Sequence, residues 1–245
     1  MTQYKMDDYI KLPFLETKLS KVDLINLEKN NTLRSIFIEL VKNEKIQNII
    51  PDKEKIKQTF EELCLKNDIK QIDKDKNKNY YMQILNKQTF KIASLRKFSI
   101  ERFGKNAESI FYSRKENYYD QYIYSLLRNT NKNLIFEFYY QIESKEESIN
   151  QLSNNYSSGS EKLKFGIIGP ITLENVHHQI AEILKSSKES QINEPFIINE
   201  EWYILQKEKF IPAEYNEFYK CQICMQLLEK ELENEYLNFL KDNFN

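Results

Sequence analysis

The chain has 245 residues, and its 36 lysines and arginines against 37 aspartates and glutamates leave a formal net charge of −1. No overall field therefore draws it to nucleic acid or to anionic lipid. An apolar content of 40% with 13% aromatics is ample for one or two domains with a real core, while Cys64, Cys221 and Cys224 are too few and too oddly placed for a secreted disulfide framework.

The opening MTQYKMDDYIKLPF has no apolar run of signal-peptide length, and no segment approaches a membrane span, so the expected address is the cytoplasm. Apolar residues three and four apart predict helices over Leu15 to Leu27 and Leu33 to Ile50, separated by a turn at Asn30-Asn31. Pro51 stops the second, and Asp52 can cap a third whose stripe is Ile56, Phe60, Leu63 and Cys64. The run IDKDKNKN from Ile72 reads as a solvated loop. Helical spacing resumes from Tyr80 to Gly104, and another helix is expected from near Asn106, carrying Ile110 and Phe111. The N-terminal half is thus expected to be all helix, with no strand signal.

Near Tyr118 the pattern changes to YYDQYIYSLLR, alternating and aromatic, as in a strand. Lys132 to Glu143 and Ser148 to Tyr156 are predicted helices. The next stretch, YSSGSEKLKFGIIGPITLENVHHQIAEIL, holds three of the chain's four glycines and both histidines. Gly159 is placed as a helix C-cap, Ser160 to Lys164 as a polar loop, and Phe165 to Ile168 as a short buried strand broken by Gly169-Pro170. That strand is expected to pair with one over Trp202 to Lys207. Leu173, Val176, His177, Ile180 and Leu184 then recur at helical spacing, Phe196 to Ile198 is a strand, and a long helix over Phe218 to Phe239 presents Ile223, Leu227, Leu228, Leu232, Tyr236 and Leu240. Neither this stripe nor that of Leu33 to Ile50 can bury itself, so the two chain ends are expected to share a core.

Few residues offer transfer chemistry. His177 and His178 are adjacent, so a helix would point them about 100° apart and they are not expected to chelate one metal. Cys221-x-x-Cys224 falls inside a predicted helix without a second ligand pair and reads as packing. No phosphate loop, Ser-His-Asp order or HExxH pattern occurs. No cofactor is expected.

The segment from Tyr156 to Leu184 resembles the parvulin (PpiC-type) peptidyl-prolyl isomerase domain. Tyr156, Ser157, Gly159, Glu161, Gly166, Ile168, Gly169, Pro170, Leu173, His177, Ile180, Ala181 and Leu184 carry the likeness without a gap, and it continues through Pro195-Phe196, Glu201-Trp202, Lys207-Glu208 and Ile211-Pro212-Ala213. The resemblance implies an α+β fold: a SurA-like helical domain over residues 1–116, a parvulin-like module over 117–213, and a C-terminal helix within 214–245 that completes the helical domain.

It implies a folding factor or chaperone that binds unfolded or proline-containing polypeptide clients, with no nucleic acid and no membrane insertion. Rotation about an X-Pro bond needs no group transfer; the catalyst must only favour the twisted amide. Parvulins place two histidines on adjacent strands and a cysteine or aspartate on the preceding loop. The corresponding positions here are Ser125, Tyr203 and the neighbourhood of Gly159, and none holds the family residue. Ser125 and Tyr203 are the catalytic candidates, as a hydroxyl pair across the sheet. The resemblance implies a proline pocket from Leu173, His177, Ile180 and Phe196, although Leu173, Ile180 and Phe196 equally suit an ordinary core. The alternative is a non-catalytic peptide-binding adaptor or holdase that keeps the fold, and a third reading is a scaffold without a peptide ligand.

Overall fold

A computed structural model of the chain describes residues 9–12, 18–66 and 78–244. It divides into two units, Met1–Glu108 with Asn216–Asn245, and Ser109–Tyr215. The first 3 residues of the predicted Leu15 to Leu27 helix, and most of the loop from Ile72, lie outside the described residues.

In the first unit β1 (Tyr9–Lys11) pairs with β2 (Lys18–Ser20) ahead of the first described helix, contrary to the expectation of no strand in this half. Ser20 decides where helix starts, because its Oγ accepts from the Asp23 N–H, the geometry of an N-cap, and α1 runs Lys21–Lys29. Helices α2 (Thr32–Ile46) and α3 (Lys53–Lys66) follow.

Helix α4 is one element over Lys78–Tyr118, not two, and Gly104 does not break it. A glycine inside a helix costs only about 1 kcal/mol relative to alanine, which burial of Leu85, Ala93, Leu95, Ala107 and Phe111 along the same helix offsets.

Helix α8 (Glu217–Phe244) returns to the N-terminal elements. Its Leu228, Leu232 and Tyr236 share one buried cluster with Leu12, Leu24, Leu33, Phe37 and Val41. The Phe37 ring lies between Tyr236 and Phe239, at centroid distances of 5.4 and 4.9 Å. Lys45 reaches Glu235 at 2.8 Å and Glu231 at 3.2 Å, and the Tyr236 hydroxyl donates to Glu28. Cys224 is buried and Cys221 half-buried in this helix; burial pushes both thiols up, so they behave as packing groups rather than nucleophiles.

The second unit is built on a four-stranded antiparallel sheet of order β4-β3-β6-β5, formed by β3 (Gln121–Asn129), β4 (Ile167–Thr172), β5 (Phe196–Ile198) and β6 (Glu201–Ile211). Strand alternation sends Tyr122, Tyr124 and Leu126 to one face, where they pack with Tyr203, Leu205 and residues of α7 (His178–Ser186). It sends Leu127 and Ile204 to the other, against α5 (Lys132–Glu143) and α6 (Ile149–Tyr156).

Three local expectations in this unit are corrected. Phe165 is not in a strand: it lies in the left-handed region at φ 54°, followed by Gly166 at φ 77°, and β4 starts only at Ile167. That strand is an edge, runs through Gly169-Pro170 rather than ending there, and pairs with β3, not with the Trp202 strand. An edge has one side free of ladder partners, so proline is tolerated. Gly169 sits at φ 117°, where a Cβ would come within 2.4 Å of the Tyr122 carbonyl oxygen.

The predicted Leu173 to Leu184 helix is likewise divided, with a 3-10 turn over Leu173–Asn175, extended residues Val176 and His177, and then α7.

Candidate functional site

At the end of β3 the strand places Arg128 on the same face as Tyr124 and Leu126, at the mouth of the loop that joins α6 to β4. Its Nε lies 3.0 Å from Glu161 Oε1 and its Nη2 3.3 Å from Oε2, while Nη1 reaches Glu201 Oε2 at 3.2 Å. Glu161 belongs to a 3-10 turn over Ser160–Lys164, where a polar loop was expected, and its side chain is only 4% exposed. A carboxylate so far out of water needs partners; Ser157 Oγ donates to it at 2.5 Å alongside Arg128. Ser158 Oγ donates to Glu201 at 2.6 Å, and the Tyr203 hydroxyl donates to the same residue at 3.2 Å.

Gly159 is explained by this network and not by a helix cap. It has φ −101°, and α6 already ends at the Ser157 cap. A Cβ on Gly159 would lie 2.0 Å from Arg128 Nη2, so only glycine leaves room for the guanidinium.

The charges set the local acidity. Glu201 is held below the usual carboxylate range, first by the Ser158 hydroxyl and then by Arg128 and Tyr203, which outweigh its partial burial. Tyr124, buried beneath the network, has its phenol pushed up to about 12 by burial, with the charge of Glu161 adding to the effect.

The predicted catalytic pair does not meet. Ser125 stands opposite Gln206 and Tyr203 opposite Arg128 in the β3–β6 register, so the two side chains leave opposite faces of the sheet. Ser125 is wholly buried, where its hydroxyl donates to Glu208 at 2.6 Å and accepts from Asn150 at 2.9 Å. Tyr203 instead stacks on Phe196, with centroids 5.6 Å apart and 22° between planes.

Of the predicted pocket residues, Leu173 and Ile180 join the Tyr203 cluster but are only 4% and 6% exposed, so they are core side chains. Phe196 is half-buried against that cluster. His177 is exposed and serves as the N-cap of α7, its Nδ1 accepting from the Gln179 N–H at 3.3 Å. Because His177 precedes the helix, its ring lies beside that of His178, with centroids 4.3 Å apart, rather than a helical step away. Among the described residues no group of three or more His, Cys, Asp or Glu could hold a metal ion.

Sequence reasoning missed Arg128, Ser158 and the roles of Glu161 and Glu201. The signal was available: a charged residue at the end of the apolar run YIYSLLR requires an acidic partner once the strand is buried, and Glu161 is among the residues that carry the family likeness.

The fold and this corner define a small antiparallel sheet, covered by helices on both faces, with an aromatic surface beside a charged loop. Residues 125–209 match the model of the Rotamase family, the PPIC-type PPIASE domain, so the chain carries a parvulin-type domain. Among solved structures it is similar to PrsA from Bacillus subtilis, with 16% identity, 98% of each chain covered and a TM-score of 0.36. It is also similar to the peptidylprolyl isomerase PrsA from Bacillus cereus, with 16% identity over 97% of this chain and 89% of that one, at a TM-score of 0.42. A third similarity is to a SurA-like chaperone of Campylobacter jejuni, one of the pair PEB4 and Cj1289, with 12% identity over 95% and 96% of the two chains, at a TM-score of 0.40. A search of curated proteins returns no match.

Proposed function

We propose that this protein is a parvulin-type folding factor that binds proline-containing polypeptide segments through its second unit. The observation that carries the reading is the match of residues 125–209 to the PPIC-type domain. The half-buried Phe196 ring, stacked on Tyr203 beside the Arg128 network, offers an apolar surface next to fixed polar groups. This is the combination a twisted amide needs.

A second reading, a holdase that binds without accelerating rotation, is favoured by one specific observation. Ser125, at a family histidine position, is wholly buried with its hydroxyl engaged by Glu208 and Asn150. Exchange spectroscopy on an X-Pro peptide tests both readings in one sample. Line broadening of the peptide on addition of the protein is the expected result, and faster cis/trans exchange assigns isomerase activity. Broadening without acceleration assigns the holdase, and the absence of both overturns the proposal.

A further inference from the structure

Helix α3 leaves its apolar stripe unfinished. Thr59 is its only buried residue, while Ile56, Phe60, Leu63 and Cys64 remain half-buried. Beside it, Phe90 of α4 is 45% exposed. Between the two helices lies a groove of about 440 Å³, lined by Lys53, Ile56, Lys57, Phe60, Asn86, Thr89 and Phe90. Three of these side chains are large and apolar and two are cationic. None is a carboxylate, and among the described residues neither Lys53 nor Lys57 is in an ion pair.

We infer that this groove is a docking site for an acidic, apolar polypeptide segment. The size of the groove argues for a segment over a folded domain. Lys53 to Phe60 covers two helical turns, about 10 Å, enough to seat two or three large side chains of an incoming helix or extended strand. The charge argues for its chemistry. Two ammonium groups at an apolar surface attract Asp or Glu flanking the anchors and repel Lys or Arg, which gives the site a sign as well as a shape. The inference goes beyond the function proposed above, since the groove belongs to the first unit and requires no proline.

The test uses the full chain and two fluorescein-labelled peptides with the same Leu and Phe anchors, one flanked by Asp and Glu, the other by Lys and Arg. Fluorescence anisotropy should show the acidic peptide binding at least about tenfold more tightly, with the preference fading as salt is added. The double variant Lys53→Glu with Lys57→Glu, both exposed and hence without consequence for folding, should reverse the preference. Phe90→Ser should weaken both peptides.

Equal binding of the two peptides, or an acidic-peptide affinity unmoved by the double charge reversal, overturns the inference. So does sedimentation that shows self-association abolished by the same variant while neither peptide binds, because the occupant is then a second copy. Binding of the X-Pro peptide, measured in parallel, is expected to be unchanged in the double variant. Its absence from the unmodified chain would count against the proposed function and leave the groove standing.

Discussion

Arg128 and Glu161 form a side-on pair, with the two carboxylate oxygens 3.0 and 3.3 Å from Nε and Nη2, and the acid almost wholly out of water. This pair closes the loop between α6 and β4 onto the end of β3, a task the Ser158 N–H shares by donating to the Arg128 carbonyl at 2.9 Å. Arg128→Ala leaves Glu161 buried with only Ser157 as a side-chain partner and should cost about 3–5 kcal/mol. Gly159→Ala should lose about 1–3 kcal/mol by displacing the guanidinium. Urea unfolding followed by hydrogen exchange in β3 and β4 measures both. A Gly159→Ala protein of unchanged stability would mean that Arg128 swings aside without loss.

Ser125→Ala is expected to behave as a core substitution. Glu208 and Asn150 each lose one hydrogen bond, at about 0.5–1.5 kcal/mol for a typical bond, while Asn150 retains the Phe165 carbonyl at 2.9 Å. Any cis/trans exchange of a bound X-Pro peptide should be unaffected. A loss of exchange larger than the loss of folded protein would return Ser125 to a catalytic role. Tyr203→Phe should keep the Phe196 stack and weaken the hold on Glu201.

The charged corner also gives the second unit a pH signature. The folded Glu201 has a lowered pKa, so its contribution is present above the ordinary glutamate value of about 4.3 and disappears as pH falls through the lower folded value. Glu201→Gln should flatten this acid limb, and the two proteins should converge at the lowest pH. Tyr124 has the opposite sign: its contribution is complete below about 10 and is lost as pH rises through about 12. Tyr124→Phe should reduce the alkaline loss. Urea midpoints of the second unit across the pH range check both limbs.

How far these features were legible in the sequence depends on what carried the signal. Periodicity found α5 at its observed limits, and α6 and α8 to within a residue or two at their N-termini, because each helix buries one stripe of apolar residues. It failed at Leu173 to Leu184, where the same spacing spans a 3-10 turn and an extended step, since 3.0 and 3.6 residues per turn are indistinguishable over so short a run. The Ser125–Tyr203 pairing failed for a different reason. Adjacent strands are visible in a sequence, but their register is set by a bulge that inserts Glu208 opposite β3, and register decides which face a residue takes. The position of Arg128 at the end of an apolar run signals that it needs an acidic partner, but which acids serve is beyond any local pattern, because they lie 33 and 73 residues away.

The first unit is held together by residues far apart in the sequence. Its core is assembled from distant parts of the chain: Leu24, Leu33 and Phe37 on one side and Leu228, Leu232 and Tyr236 on the other. Arg34 reinforces the contact by reaching Glu233 at 2.5 Å, but this pair is largely exposed and contributes little. Burial dominates, so Leu232→Ala, at a site 1% exposed, should cost about 2–5 kcal/mol. Arg34→Ala should leave stability nearly unchanged, because solvent screens an exposed pair. Removal of residues 218–245 takes away the whole α8 surface and should strip hydrogen-exchange protection from α1 and α2, whose buried cluster would then keep only Ile10, Leu12 and Leu95 from outside those two helices. Strands β3 and β6 draw their buried contacts from α5, α6 and α7 and should keep theirs. Protection of α1 and α2 that survives the truncation would show that the N-terminal helices hold together without α8. Parallel loss in β3 and β6 would show that the two units unfold as one.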